Sequence, residues 1–214
     1  MHTRVTATRI HGRYLIDISA YSRATLVGFH GYKENAAIHL EVLRRIAGGR
    51  PLSLVSIQGL HRFYSKGGDV VASWMTKEDR EHAIADNVDY VGRVLTTIAG
   101  ESGITRPMIY VGFSQGVAMA FRAAAFVQRP CDGVIALASD VPPDVAPVAG
   151  TLPRTLLGRG DRDEFYPASQ AAKDLDVLKS AGVPVEEYVF SGGHLWTPAF
   201  IDKSTQFIDE LLSS

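Results

Sequence analysis

A serine between two glycines, wedged between a strand and a helix, constrains this chain more than any other stretch. Gly112-Phe113-Ser114-Gln115-Gly116 follows a short apolar run, Met108-Ile109-Tyr110-Val111, which is too short for a helix and rich in strand formers. After it, Val117-Ala118-Met119-Ala120-Phe121 and Ala123 to Val127 read as a buried helix. So tight a turn forces its central residue into a strained backbone conformation. Side chains at the flanking positions would collide with the neighbouring strand and helix, and Gly112 and Gly116 remove that conflict. Ser114 is then held at the carboxyl end of a sheet, near the positive end of a helix.

The rest of the chain repeats the strand-then-helix theme. Apolar runs at Ala24–Phe29, Leu52–Ile57, Gly133–Ala138, Arg154–Gly158 and Val185–Phe190 read as buried strands. Helices fall between them. One carries Ala36, Leu40, Leu43 and Ala47 on one face; another, opened by the capping-box pattern Thr76-Lys77-Glu78-Asp79, carries Ile84, Val88, Val91, Leu95 and Ile98. A third buries Ala171, Leu175 and Leu178, and a last one, capped by Thr197-Pro198, buries Phe200, Phe207 and Leu211. Continuous apolar strands alternating with helices predict an α/β fold whose mostly parallel central sheet has helices on both faces. Arg4 to Ser19 alternates loosely about His11-Gly12 and reads as an N-terminal antiparallel hairpin at the sheet edge. Gln58 to Met75 reads as a long irregular loop. No repeat or linker divides the chain, so residues 1–214 are expected to form a single domain.

Composition narrows the partners. A net charge of −1 argues against nucleic acid, whose phosphates require a basic surface. No apolar run approaches the length of a membrane span. Met1-His2-Thr3-Arg4 leads into no apolar stretch, so no signal peptide is expected, and the only cysteine, Cys131, leaves no intrachain disulfide. Both features fit a cytoplasmic protein.

In a sheet of this kind, function gathers in the loops at the carboxyl ends of the strands. Ser114 lies in one such loop, Asp161 and Asp163 in a second, His194 in a third, and His30-Gly31-Tyr32 in a fourth. A serine hydroxyl is a poor nucleophile until a neutral imidazole takes its proton, and that imidazole needs a carboxylate to fix its tautomer. The chain supplies serine, then aspartate, then histidine, the order expected for a nucleophile on a strand–helix turn. His194 follows Gly192-Gly193 directly beyond a strand; His2, His11, His39, His61 and His82 lack such a setting. No spacing of metal ligands is evident, so neither a metal nor a cofactor is expected.

Together these motifs resemble the α/β-hydrolase fold. More narrowly they are similar to the phospholipase/carboxylesterase group, which includes the acyl-protein thioesterases and lies near the dienelactone hydrolases. The resemblance rests on Phe29-His30-Gly31-Tyr32, Gly112-Phe113-Ser114-Gln115-Gly116, Gly160-Asp161-Arg162-Asp163 with Pro167, and Gly193-His194. It implies that Asp163 is the triad carboxylate, with Asp161 next and Glu164 third. It also implies that the backbone N–H groups of Tyr32 and Gln115 form an oxyanion hole. Where the family often has glycine, this chain has Lys33, which adds a positive charge at the rim. Serine at position 114 departs from the cysteine of many dienelactone hydrolases.

The resemblance thus implies a serine hydrolase of carboxylic esters or thioesters. Val141 to Pro153 is too short for a large lid domain, so the site is expected to be open, with Phe63, Trp74, Met75 and Trp196 as a candidate apolar wall. Tyr64 is a further candidate for that wall; packing of the long loop onto the body explains these side chains equally well. The alternatives are a non-catalytic binding protein on the same scaffold, or an acyltransferase or peptidase with the same triad. The apolar final helix or the edge hairpin is compatible with a homodimer.

Overall fold

The computed structural model describes residues 2–101, 104 and 106–213. Strand β1 (Arg13–Asp17) lies at one sheet edge, antiparallel to β3 (Ser53–Gln58). Strand β2 (Thr25–Phe29) runs parallel between β3 and β6 (Met108–Phe113). Strands β7 (Gly133–Leu137), β8 (Thr155–Gly160) and β9 (Val185–Phe190) continue in parallel. The result is a seven-stranded sheet in the order β1-β3-β2-β6-β7-β8-β9.

Side chains alternate across each strand, so one apolar run feeds two cores. Leu26, Leu54, Ile109, Val111 and Ile135 face a cluster built with α1 (Ala36–Ala47) and α5 (Pro198–Ser213). Val27, Val55, Tyr110, Val134 and Leu157 face the other, built with α2 (Arg80–Ile98), α3 (Gln115–Phe126) and α4 (Ala168–Ser180). Burial on both faces is why these strands read as unbroken hydrophobic runs.

Helix ends follow local chemistry. The Asn35 side chain accepts the Ile38 N–H at 3.0 Å, and Gly48 stops α1 at φ 56°. Thr197 Oγ1 accepts the Phe200 N–H at 3.3 Å, with Pro198 in the first helical position of α5.

Three expectations need correction. The antiparallel element at the sheet edge is present, but β1 pairs with β3 rather than with the segment before it, and residues 2–12 have no regular secondary structure. Val5 and Ile10 are more than half exposed, so that segment has no buried face to hold a strand in place. Gly12 makes no turn between strands; the Tyr90 ring packs directly against it, and the Tyr90 hydroxyl donates to Arg13 O at 2.7 Å. The stretch read as an irregular loop contains a hairpin, β4 (His61–Tyr64) with β5 (Val70–Ser73). Finally, the capping box does not form. Thr76 Oγ1 donates to Glu78 O at 3.0 Å, and α2 begins after Asp79 with no side-chain cap.

Candidate active site

The turn from β6 into α3 presents Ser114 at φ 51° and ψ −125°, a region that L residues seldom occupy. Its flanks explain the glycines. A Cβ at Gly116 would fall 2.0 Å from Phe29 O, and one at Gly112 would fall 2.7 Å from Val117 Cα. The Ser114 N–H donates to Leu137 O at 2.9 Å, tying the turn to the end of β7.

The loop after β9 brings His194 to this serine. His194 Nε2 lies 2.8 Å from Ser114 Oγ, and Nδ1 lies 2.9 and 3.1 Å from the carboxylate oxygens of Asp163. An ionised carboxylate only accepts, so Nδ1 carries the proton and Nε2 is left to accept from the serine hydroxyl. Asp163 is buried, and its Oδ1 also accepts the N–H groups of Phe165 and Tyr166 at 2.9 and 3.0 Å. Asp161 stands elsewhere: its carboxylate accepts the Gly192 N–H at 2.9 Å, bracing the histidine loop without touching the imidazole. Glu164 makes no contact with His194 of this kind. Tyr166 turns its hydroxyl onto buried Asp174 at 2.9 Å.

Tyr32 and Gln115 come from the loop after β2 and the first residue of α3. A trans peptide points its C=O and N–H in opposite directions. Gly31 O is pinned by His30 Nδ1 at 2.7 Å and by the Glu34 N–H at 3.2 Å, so the Tyr32 N–H of the same peptide is aimed away from both. His30 Nε2 accepts the Gly59 N–H at 3.0 Å, which fixes the tautomer that makes Nδ1 a donor. Burial holds the His30 imidazole down at about 4, so it stays neutral.

The candidate apolar wall divides. Phe63 stacks on half-exposed Tyr32 with ring centroids 5.6 Å apart. Met75 is partly buried at the end of the hairpin. Trp74 is not part of a wall. It is fully buried against Phe29 and His30, because both its main-chain N–H and its indole find partners inside. Trp196 packs on Phe113 and Phe200, behind the histidine.

Two neighbours of the site escaped the sequence reading. Phe165 is 82% exposed yet packs edge-on to His194 at 5.0 Å; Phe113 also packs on that imidazole, tilted, at 5.1 Å. The place of Phe165 between Asp163 and Pro167 was the available signal. Glu34 Oε2 accepts the Gly31 N–H at 2.7 Å, and burial beside the site pushes its carboxyl above the usual range. Among the described residues no three His, Cys, Asp or Glu side chains are grouped to hold a metal ion.

A mostly parallel sheet with a strained serine at a strand–helix turn defines an α/β-hydrolase. The chain belongs to the phospholipase/carboxylesterase family, whose model matches residues 20–212. Membership makes it a hydrolase of the carboxylesterase and thioesterase type. Similar solved structures include esterase PE8, with TM-score 0.74, 23% identity, and coverage of 95% of this chain and 100% of that one. The Bacillus cereus carboxylesterase gives TM-score 0.74 and 16% identity over 94% of each chain. The Zea mays acyl-protein thioesterase 2 gives 0.69 and 20% over 94% of this chain and 100% of that one. No curated protein matches the chain.

Proposed function

We propose that this hydrolase cleaves carboxylic esters or thioesters through an acyl-enzyme, with Ser114 as nucleophile, His194 as general base and acid, and Asp163 as the orienting carboxylate. The observation that carries the reading is the continuous chain from Ser114 Oγ through His194 to the buried Asp163, with contacts of 2.8 and 2.9 Å.

As Ser114 Oγ bonds to the substrate carbonyl carbon, its proton passes to His194 Nε2 and the carbonyl electron pair moves to oxygen. The N–H groups of Tyr32 and Gln115 receive that oxyanion. Collapse breaks the bond to the leaving oxygen or sulfur, which takes the proton from Nε2. Water then repeats the sequence and releases the acid. No cofactor enters these steps. The segment after β7 holds a short 3-10 helix (Ala146–Thr151) and no lid domain, and Tyr32, Phe165 and Leu195 stand half-exposed or more around the serine loops. Both features support small or flexible acyl groups, or an acyl group on a larger partner.

Hydrolysis of nitrophenyl esters of increasing acyl length, with Ser114→Ala alongside, tests the reading. Turnover by the wild type that disappears in the variant is expected, together with labelling by a fluorophosphonate. A folded wild type that neither turns over any ester nor takes the label would overturn the catalytic reading in favour of the non-catalytic binding scaffold.

A further inference from the structure

The donors assigned to the oxyanion hole come from segments far apart in sequence, so something must hold their peptides in fixed relation. The Gln115 side chain grips the end of the β4–β5 hairpin. Its Oε1 accepts the Trp74 N–H at 2.9 Å, and its Nε2 donates to Met75 O at 3.0 Å. Trp74 then reaches the other donor's loop, where its indole N–H donates to His30 O at 2.8 Å. The indole also packs against the His30 ring, with 5.1 Å between centroids and the planes tilted by 31°. That imidazole pins Gly31 O, the carbonyl of the peptide that supplies the Tyr32 N–H. The remaining polar group of Trp74, its carbonyl, accepts from Asn87 Nδ2 at 2.8 Å. Every polar atom of this fully buried residue is therefore committed, and two of its bonds point to the two halves of the hole.

We infer that Trp74 is the positioning residue of the oxyanion hole, acting through the Gln115 side chain on one donor and through His30 on the other. The inference rests on the assignment of Tyr32 and Gln115 as the donors. A phenyl ring would fill much of the same space and keep the main-chain bond to Gln115; what the indole adds is the N–H that donates to His30 O. An oxyanion exists only after attack, so misaligned donors weaken the transition state and leave substrate binding nearly unchanged. Removing one donor outright lowers kcat by roughly 10²–10³-fold, so misaiming should cost at least about tenfold.

Trp74→Phe removes the indole N–H and keeps an aromatic ring. Nitrophenyl acetate hydrolysis and affinity for phenylboronic acid, which forms a tetrahedral adduct on an active-site serine, are measured in wild type and variant. The expected result is a kcat about tenfold lower or more, a KM within about twofold, and boronate affinity reduced by the same factor as kcat/KM. The limb of the pH profile set by the histidine should not move. A variant that loses only thermal stability, or that raises KM at constant kcat, overturns the inference. Should Trp74→Phe fail to fold, Gln115→Met keeps the backbone N–H, removes the grip on the hairpin, and must show the same pattern. An unchanged kcat in that protein also overturns it. A wild type that neither hydrolyses the ester nor binds the boronate removes the catalytic reading itself. An active wild type with unaffected variants removes the role of Trp74 alone.

Discussion

Asp161 and Asp163 lie two residues apart in one loop, and their surroundings give them different work. Asp163 is buried under two backbone N–H groups and faces the imidazole; Asp161 is partly exposed and holds Gly192. Asp163→Asn should lower kcat by a factor on the order of 10⁴, because an amide at that place favours the wrong histidine tautomer. Asp161→Asn should leave kcat within roughly tenfold, since it reaches the imidazole only through a main-chain contact. Steady-state kinetics on both variants separates them, and equal losses would contradict the assignment. Ser114 carries the opposite tension. At φ 51° a side chain is strained, so Ser114→Gly should end hydrolysis and yet raise stability by about 1 kcal/mol in urea unfolding. Burial pushes the Cys131 thiol up, which disfavours its thiolate.

The elements around the site tolerate little change where backbone meets backbone. A methyl group at Gly116 would meet Phe29 O at 2.0 Å and His30 O at 2.6 Å, and neither carbonyl can swing aside without opening β2 or the loop beyond it. Gly116→Ala should cost about 3 kcal/mol, read as a lowered urea midpoint. The acid loop is braced differently. Tyr166 donates to Asp174, which also accepts from the Val141 N–H, so α4, the acid loop and the segment after β7 share one buried carboxylate. Tyr166→Phe removes one donor from that carboxylate and should destabilise by about 1–3 kcal/mol. Its N–H to Asp163 remains, so kcat should fall far less than in Asp163→Asn; a comparable loss would show that the brace governs catalysis.

Across the molecule, two buried histidines tie stability to pH. Burial holds His30 at about 4 and His39 at about 3, against 6.5 for an exposed histidine. Below about pH 6.5 the unfolded chain binds protons at these positions and the folded chain does not. Their contribution is therefore complete above about 6.5 and is lost as pH falls towards 4 and 3. The carboxyls of Glu34 and Asp174, raised by burial, act in the opposite sense and offset part of the loss. Urea midpoints taken at pH 7, 6 and 5 should fall with acidity, and His39→Gln should flatten the slope. A midpoint independent of pH over that range would contradict the burial of both rings in neutral form.

The sequence determined this protein's architecture and which loops gather at its candidate site. Unbroken apolar strands required cover on both faces of the sheet, and Gly112, Ser114 and Gly116 marked the turn because no larger residue fits at its flanks. The order of serine, aspartate and histidine at successive strand ends follows from topology alone, so it was legible without coordinates. What lay between the motifs was decided in three dimensions. Whether Val5 or Arg13 begins a strand depended on which segment found a buried face. The β4–β5 hairpin formed where alternation was too short to read, and Trp74, the residue after it, went inward because Gln115 and His30 supplied partners that no spacing encodes. Asp161 and Asp163 are alike as residues; only the position of the returning histidine loop distinguishes them. Local sequence sets backbone propensity and side-chain period, whereas hydrogen bonds between distant segments exist only once the sheet has brought them together.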